Sequence, residues 1–371
     1  MARPIVAHLD LDALAANVAK ARAFARGARV LAVVKANGYG HGLHRVMPGL
    51  AAADGLALIE LDAAVQLRER GETREILLLE GFFSDDELDT LAAHRLATMV
   101  HTQAQVRAIE RAALSRPLDV YLKVNTGMNR LGVAPSLVRD LARRLSASTN
   151  VRTLRLAMHF ACADEHDGVR EPLARFASAC AGLPFERSLA NSAAVVRFGE
   201  IGGDVVRPGI MLYGATPFAD RSAQALGLAP VMTLRSRLIG VQTLAPGESV
   251  GYGAAFSAPR AMRIGVVACG YADGYPRHAP NGTPVLVAGK RVPIAGRVSM
   301  DMVTVDLTDV PGADVGSDVV LWGDGLPVDD VAQSAGTVGY ELLCAVTPRV
   351  PFVVHAPRQA PAIAEAACSS S

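Results

Sequence analysis

Lysine is nearly absent. The 371-residue chain has four, Lys20, Lys35, Lys123 and Lys290, and arginine supplies almost all the remaining positive charge. Guanidinium stays protonated, so an amine that attacks a carbonyl must come from those four. Long apolar runs are missing too. Half the residues are hydrophobic and mean hydropathy is +0.25, yet no run of about 18 apolar residues occurs, so no membrane span is predicted. Charge of one sign is also missing. The formal net charge is +1, with no basic block and no interleaving of aromatic and basic residues, which argues against a nucleic-acid partner. Cysteine is sparse: Cys162, Cys180, Cys269, Cys344 and Cys368 are scattered, without CxxC spacing or a histidine cluster. Free thiols are expected, and neither disulfides nor a metal site. The opening segment, MARPIVAHLDLDALAANV, carries Asp10 and Asp12 where a secretory signal needs an apolar core. A cytoplasmic location is expected.

What is present is an alternation. The length favours two domains. An amphipathic helix is predicted over Leu11 to Ala25, with Asp10 or Asp12 as its cap. Strand-like apolar runs follow near Val30–Val34, Leu56–Ile59, Ile76–Leu79, Ala97–Val100, Val120–Val124, Leu154–Met158, Glu186–Ala190 and Asp204–Val206. Helical patterns such as LDAAVQLRER, SDDELDTLAAH and TQAQVRAIERAAL lie between them. This is the pattern of a (β/α)8 TIM-like barrel over residues 1–225. A doubly wound sheet is the rival, but no GxGxxG follows the first strand, which disfavours its dinucleotide form. From about residue 226 to 371 strand-like stretches dominate, from MTLRSRLIGVQTL to DVVLWG, punctuated by turns such as APGES and APNG. A mainly β domain is expected there, interrupted by short helices near Val328–Ser334 and Val338–Leu343. The segment IVAHLDL has no evident place in the barrel and is expected to pair with the β domain. The tail from Pro357 is expected to be frayed.

A barrel of this kind carries its site at the C-terminal ends of its strands. Those ends read Lys35, then Lys123 with Arg130, His159, Asn191 with Ser192, and Arg207. Charged, hydroxyl and amide side chains thus recur at one end of an apolar barrel. Lys35 stands between VLAVV and the small-residue loop KANGYGHG. Strand and loop admit two readings, a lysine snorkelling from a strand end or an amine that forms a Schiff base with a carbonyl. Such an amine suits carbonyl substrates and pyridoxal phosphate. A phosphate needs backbone N–H groups and hydroxyls, which Ser192, tyrosines and the turn RPGI, Arg207 to Ile210, can supply. Arg207 at the eighth strand cannot accept a proton, so a pyridine nitrogen beside it stays unprotonated and withdraws electrons weakly. That suits removal and return of a proton at one carbon. Tyr252 sits in a Gly-Tyr-Gly turn, where it either exposes its hydroxyl or packs its ring.

Taken in order and spacing, KANGYGHG, KVNTGMNRLG, HFACADE, NSAA, VVRPGIMLYG, VGYGAAF, GYADGYPR and GRVSMDM resemble alanine racemase. The motifs span nearly the whole chain. The resemblance implies a fold-type III pyridoxal 5'-phosphate enzyme that interconverts L-alanine and D-alanine. It implies a head-to-tail homodimer in which each barrel faces the partner's β domain. Lys35 resembles the lysine that binds the cofactor as an aldimine and exchanges the α-proton on the D-alanine side. Tyr252, from the other subunit, resembles the base on the L-alanine side. Tyrosine's reference pKa is about 10, so it needs help as a base. His159, linking Arg207 to Tyr252, is the implied help. Arg130 and the backbone of Met300 from the partner would hold the substrate carboxylate, and Arg130 would also approach the cofactor. Lys123 matches a lysine often carbamylated in the family, where the carbamate would orient Arg130. Arg207 matches the pyridine-nitrogen partner. Tyr39, Ser192, Gly209, Ile210 and Tyr340 match the phosphate cradle, with Asn191 beside them. Asp164, Tyr271, Arg277, Arg297 and Asp301 match the access corridor. The departures are small: Gly38 stands where alanine is frequent, and Cys162 lies between His159 and Asp164.

The product is either D-alanine for peptidoglycan or an intermediate of alanine catabolism. A broad-specificity or serine-preferring racemase on the same scaffold is the nearest alternative. Arg207 and the Tyr252 segment weigh against a barrel decarboxylase. A non-enzymatic cofactor carrier would leave the β domain unexplained, and a dead-site protein would not keep every expected catalytic residue.

Overall fold

The computed structural model describes residues 3–201 and 203–356. The tail beginning at Pro357, and Cys368 within it, lie outside the described residues. Strand β1 (Val6–Asp10) leads directly into helix α1 (Leu11–Ala25). Of the two candidate caps, Asp10 is the one used: its Oδ1 accepts from the Ala13 N–H at 3.0 Å. Arg26 stops the helix in a left-handed conformation. Leu11, Leu14, Val18, Ala21 and Ala25 form its buried stripe.

Eight parallel strands then close on themselves. They are β2 (Arg29–Val33), β3 (Gly55–Leu58), β4 (Glu75–Leu78), β5 (Ala97–Val100), β6 (Leu118–Lys123), β7 (Val151–Ala157), β8 (Arg187–Ser188) and β9 (Val205–Val206). β9 pairs back with β2, so the barrel has no free edge. β3 and β5 are buried along their whole length, as strands walled by helices on one side and by the barrel interior on the other must be. The (β/α)8 expectation is met. Individual strand ends move by a few residues. The eighth segment shows it best: Glu186–Ala190 contracts to a two-residue β8, because Asn191 leaves the ladder to cap the next helix.

The rest of the chain is mainly β. Strand β10 (Met232–Leu244) is the spine of an eight-stranded sheet. It pairs antiparallel with β1, and β1 pairs parallel with Phe352–His355. With the barrel closed, β1 has no edge to join there, and its buried Ala7 and Leu9 face the second sheet's core instead. Two short helices, Val328–Ser334 and Gly339–Ala345, interrupt the strands. The second of them touches the turn at Lys35–Tyr39, since Gly40 lies against the backbone of Leu343 and Cys344. That contact brings Tyr340 to the barrel mouth.

Candidate active site

A cavity of about 820 Å³ opens at the C-terminal ends of the barrel strands. It gathers residues hundreds of positions apart, because parallel strands all point their ends to one mouth. Lys35 follows β2 by two residues, Lys123 ends β6, His159 follows β7, Asn191 and Ser192 follow β8, and Arg207 follows β9. Tyr39, Arg130, Asp164, Gly209, Ile210 and Tyr340 complete the wall among the residues singled out from sequence.

Lys35 opens a turn of unusual hand. Ala36, Asn37, Gly38 and Tyr39 have φ of 52°, 54°, 65° and 51°. Only Gly38 adopts this region without penalty; each L-residue in it costs roughly 1–2 kcal/mol. The strain is held by specific bonds. The Asn37 carbonyl accepts from the Gly42 N–H at 2.8 Å, and Asn37 Oδ1 accepts from the Leu43 N–H at 2.8 Å. Glu60 accepts from the Ala36 N–H at 3.2 Å. The loop expected after the first strand is therefore a braced left-handed turn, with Lys35 at one end and Tyr39 at the other.

The adjoining wall is the segment after β9, the strand paired with β2. The backbone of Pro208 accepts from the Val33 N–H at 2.9 Å, and Ser192 Oγ accepts from the Gly209 N–H at 2.8 Å. A Cβ on Gly209 would stand 2.3 Å from the Tyr39 hydroxyl, so the backbone approaches the phenol as only glycine allows. Tyr39 stacks on Tyr213, ring centroids 4.7 Å apart, and tilts against Tyr340 at 6.1 Å. Tyr213 is itself anchored, its hydroxyl donating to the Val33 carbonyl at 3.0 Å. Asn191 caps helix Ser192–Arg197 through the Ala194 N–H at 3.0 Å, which fixes Ser192 at the helix start.

Arg207 is buried, yet no carboxylate meets it among the described residues. Nη1 donates to Ser188 Oγ at 2.5 Å and Nη2 to the Met158 carbonyl at 2.7 Å. Nε has no protein partner among the described residues. Burial pulls the guanidinium pKa down to about 10. Lys123, also buried, has its pKa lowered to about 8, first by burial and then by Arg207 and Arg130. His159 falls to about 3 through burial and through Arg207, Lys123, Arg130 and Lys35, so its imidazole is neutral at working pH. Glu80 and Asp164 are the carboxylates on the wall, against four cations, Lys35, Lys123, Arg130 and Arg207. An anionic ligand suits this imbalance. A phosphate-bearing ring fits it residue by residue: hydroxyls at Tyr39 and Ser192, a close-approach glycine at 209, an amine at the strand exit, and a buried guanidinium able to donate to a neutral ring acceptor.

Six residues singled out from sequence do not line this cavity: Tyr252, Met300, Tyr271, Arg277, Arg297 and Asp301. They lie on neighbouring loops of the β domain. The Tyr271 N–H donates to the Ser299 carbonyl at 3.0 Å, the Ala272 N–H donates to the Met300 carbonyl at 3.1 Å, and the Arg297 guanidinium lies beside Gly253. Tyr252 is 72% exposed and Met300 53% exposed. Behind the cavity wall stand residues that sequence reasoning passed over. Tyr213 and His41 stand inside VVRPGIMLYG and KANGYGHG and could have been found there. Ser188 could not, since its partner Arg207 is 19 residues away and only barrel closure joins them.

Comparison with known proteins covers nearly the whole chain. The family model described as alanine racemase, N-terminal domain, matches residues 9–217, and that for the C-terminal domain matches residues 231–354. An alanine racemase of Nitrosospira multiformis is 54% identical over 353 residues, covering 94% of this chain and 99% of that protein. A catabolic alanine racemase of Klebsiella aerogenes is 54% identical, covering 95% and 99%. The crystal structure of the biosynthetic alanine racemase from Pseudomonas aeruginosa superposes with a TM-score of 0.93 at 50% identity, covering 95% of this chain and 99% of that one.

Proposed function

Because the chain belongs to the alanine racemase family, we propose that its barrel mouth interconverts L-alanine and D-alanine by a two-base mechanism, with Lys35 on the D face and Tyr252 of the partner subunit on the L face. The enzyme is an isomerase of alanine. The observation that carries the two-base reading is the separation of its parts. Lys35 lies in a cation-rich cavity, while Tyr252 stands exposed on a different domain.

We assign pyridoxal 5'-phosphate as the cofactor. When bound, it supplies a conjugated electron-withdrawing ring that acidifies the α-proton of an attached amino acid. Tyr39, Ser192, Gly209, Ile210 and Tyr340 would hold its phosphate, with Asn191 fixing Ser192. Arg207 would donate to its ring nitrogen without yielding a proton, which keeps electron withdrawal modest and favours plain proton exchange. Arg130 and the backbone N–H of Met300 would hold the substrate carboxylate and so orient the α-carbon between the two bases. Lys35 Nζ moves the α-proton on one face and Tyr252 Oη on the other. His159, neutral and close to Arg207, would relay hydrogen bonding to Tyr252 once the second subunit is in place. Carbamylation of Lys123 would supply the anion that Arg130 lacks.

A head-to-tail homodimer follows from the same separation. In it, residues 1–225 form the cofactor barrel, except for β1, which pairs with the β domain, and 226–371 supply Tyr252 and Met300 to the partner. Exposed Tyr252, Met300 and Met302 on one set of loops are the apolar side chains such a contact would cover. Asp164, Tyr271, Arg277, Arg297 and Asp301 would then line the corridor. We propose a cytoplasmic location; no helix among the described residues is long and apolar enough to cross a membrane.

Optical rotation of L-alanine over time tests the reaction. Cofactor-loaded enzyme should drive it to zero, and Lys35→Ala should not. Mixing tests the sharing of sites. Lys35→Ala and Tyr252→Phe chains, each deficient alone, should regain up to about a quarter of wild-type activity after subunit exchange, since half the dimers are mixed and each rebuilds one site. No regain despite proven exchange would place both bases on one chain.

A further inference from the structure

His41 is fully buried, does not line the cavity, and has no role in the chemistry above. Its ring sits directly behind the left-handed turn. Nδ1 lies 2.8 Å from the Tyr39 carbonyl and 3.1 Å from the Gly38 carbonyl. A carbonyl only accepts, so Nδ1 carries the proton. Nε2 is buried with no partner among the described residues, as the bare acceptor of that tautomer. The ring also leans on Tyr213 at 4.7 Å, and Tyr213 is the residue that backs the Tyr39 ring.

We propose that His41 is a positioning residue: its Nδ1–H staples the left-handed turn from behind, and so sets Lys35 and Tyr39 at the two places where the cofactor must be met. The inference rests on the reading of Lys35 and Tyr39 as cofactor residues. The geometry argues for the staple on three counts. Ala36, Asn37 and Tyr39 are in a region that L-residues avoid, so the turn needs external bonds to persist. Asn37 braces its far side through Gly42 and Leu43. His41 is the side chain that braces the Tyr39 end, and it does so on the carbonyl of Tyr39 itself. Burial lowers its pKa to about 4, outweighing the two carbonyls that favour the charged ring, so the single-proton staple persists through the working pH range.

The position of the donor is what the test must isolate. In His41→Asn the amide N–H falls near the place of Nδ1. In His41→Gln it falls near Nε2, on the side away from the two carbonyls. Titration of cofactor-free protein with pyridoxal 5'-phosphate, followed by absorbance, should give His41→Asn a Kd near wild type. His41→Gln should bind roughly tenfold more weakly, the effect of one lost hydrogen bond at the upper end of its range. At saturating cofactor, kcat of His41→Gln should fall while KM for alanine holds. Equal Kd for the two variants, whether tight or weak, would overturn the proposal. Nitrogen-15 NMR of the native, cofactor-free protein decides the matter independently of variant folding. A pyrrole-type Nδ1 and a pyridine-type Nε2 are expected, and the reverse tautomer overturns the staple. Failure of wild-type protein to bind the cofactor would instead count against the assignment of Lys35 and Tyr39, and the NMR result would still stand on its own.

Discussion

Gly209→Ala should disable the cofactor site through one identifiable collision. The new Cβ would lie 2.3 Å from Tyr39 Oη and 3.0 Å from Cζ, against 3.4 Å or more for ordinary contact. The hydroxyl must therefore move by roughly 1 Å in a close-packed wall. Tyr39 has little freedom to give. Its ring is stacked on Tyr213 at 4.7 Å, and its backbone is held left-handed. Overpacking of this kind costs about 1–3 kcal/mol. Carried into the cofactor equilibrium, that is a rise in Kd of about 5- to 150-fold. The natural control is Tyr39→Phe, which removes the colliding oxygen and leaves a 3.0 Å contact that needs a shift of only a few tenths of an ångström. Tyr39→Phe alone should cost about 0.5–1.5 kcal/mol for the hydrogen bond its hydroxyl would give the cofactor phosphate. The double variant should bind better than the sum of the two losses, with a coupling of about 1 kcal/mol or more. Four proteins, each titrated with pyridoxal 5'-phosphate and melted without it, complete the cycle. Strict additivity, or wild-type affinity in Gly209→Ala, would refute the reasoning.

Asp273→Asn should destabilise the β domain. Its fully buried carboxylate accepts from Arg3 at 2.5 Å, from Arg349 at 2.7 Å and from the Gly270 N–H at 2.8 Å. Removing the charge takes the carboxylate from Arg3 and Arg349, but both guanidinium groups are partly exposed and Arg349 keeps Asp301, so the loss should be about 1–3 kcal/mol. Burial opposes ionisation of Asp273, but the hydrogen bonds from Arg3, Arg349 and Gly270 outweigh it and hold its pKa below the usual carboxylate value. Its contribution is therefore complete above about pH 4 and lost as pH falls through the lower folded value, so the gap in Tm between wild type and variant should narrow in acid. Lys123 gives a dependence of the same sign in an alkaline window. Its folded pKa of about 8 lies below the ordinary lysine value of 10.5. The folded state then holds fewer protons between those values, and stability should rise with pH across that window in the unmodified protein. Lys123→Met should flatten the rise. The same low pKa leaves neutral amine available to carbon dioxide, and [13C]bicarbonate should give a carbamate NMR signal in wild type that is missing from Lys123→Met.

Much of this protein is determined by local pattern. Helix α1 runs over the Leu11–Ala25 stretch expected of it, because an aspartate cap and an i, i+3, i+7 stripe need nothing from the rest of the chain. Likewise β10 occupies the whole of Met232–Leu244. The barrel was legible because eight short apolar runs separated by amphipathic helices have few other ways to bury themselves. From there the convergence of Lys35, Lys123, His159, Asn191 and Arg207 follows, since a parallel barrel brings every strand's exit to one mouth. Tertiary structure alone decided three things. The hand of the turn after Lys35 is one, because Ala36, Asn37 and Tyr39 have no intrinsic reason to be left-handed and are held so by Asn37, His41 and Glu60. The partners of Arg207 are another, since Ser188 and Met158 reach it only when the seventh barrel strand lies between the sixth and the eighth. The third is the distance of Tyr252 from the lysine it is matched with. Sequence order shows both residues in one chain, but a side chain on an exposed loop of a second domain can meet the first domain's cavity only where the packing of whole domains allows it.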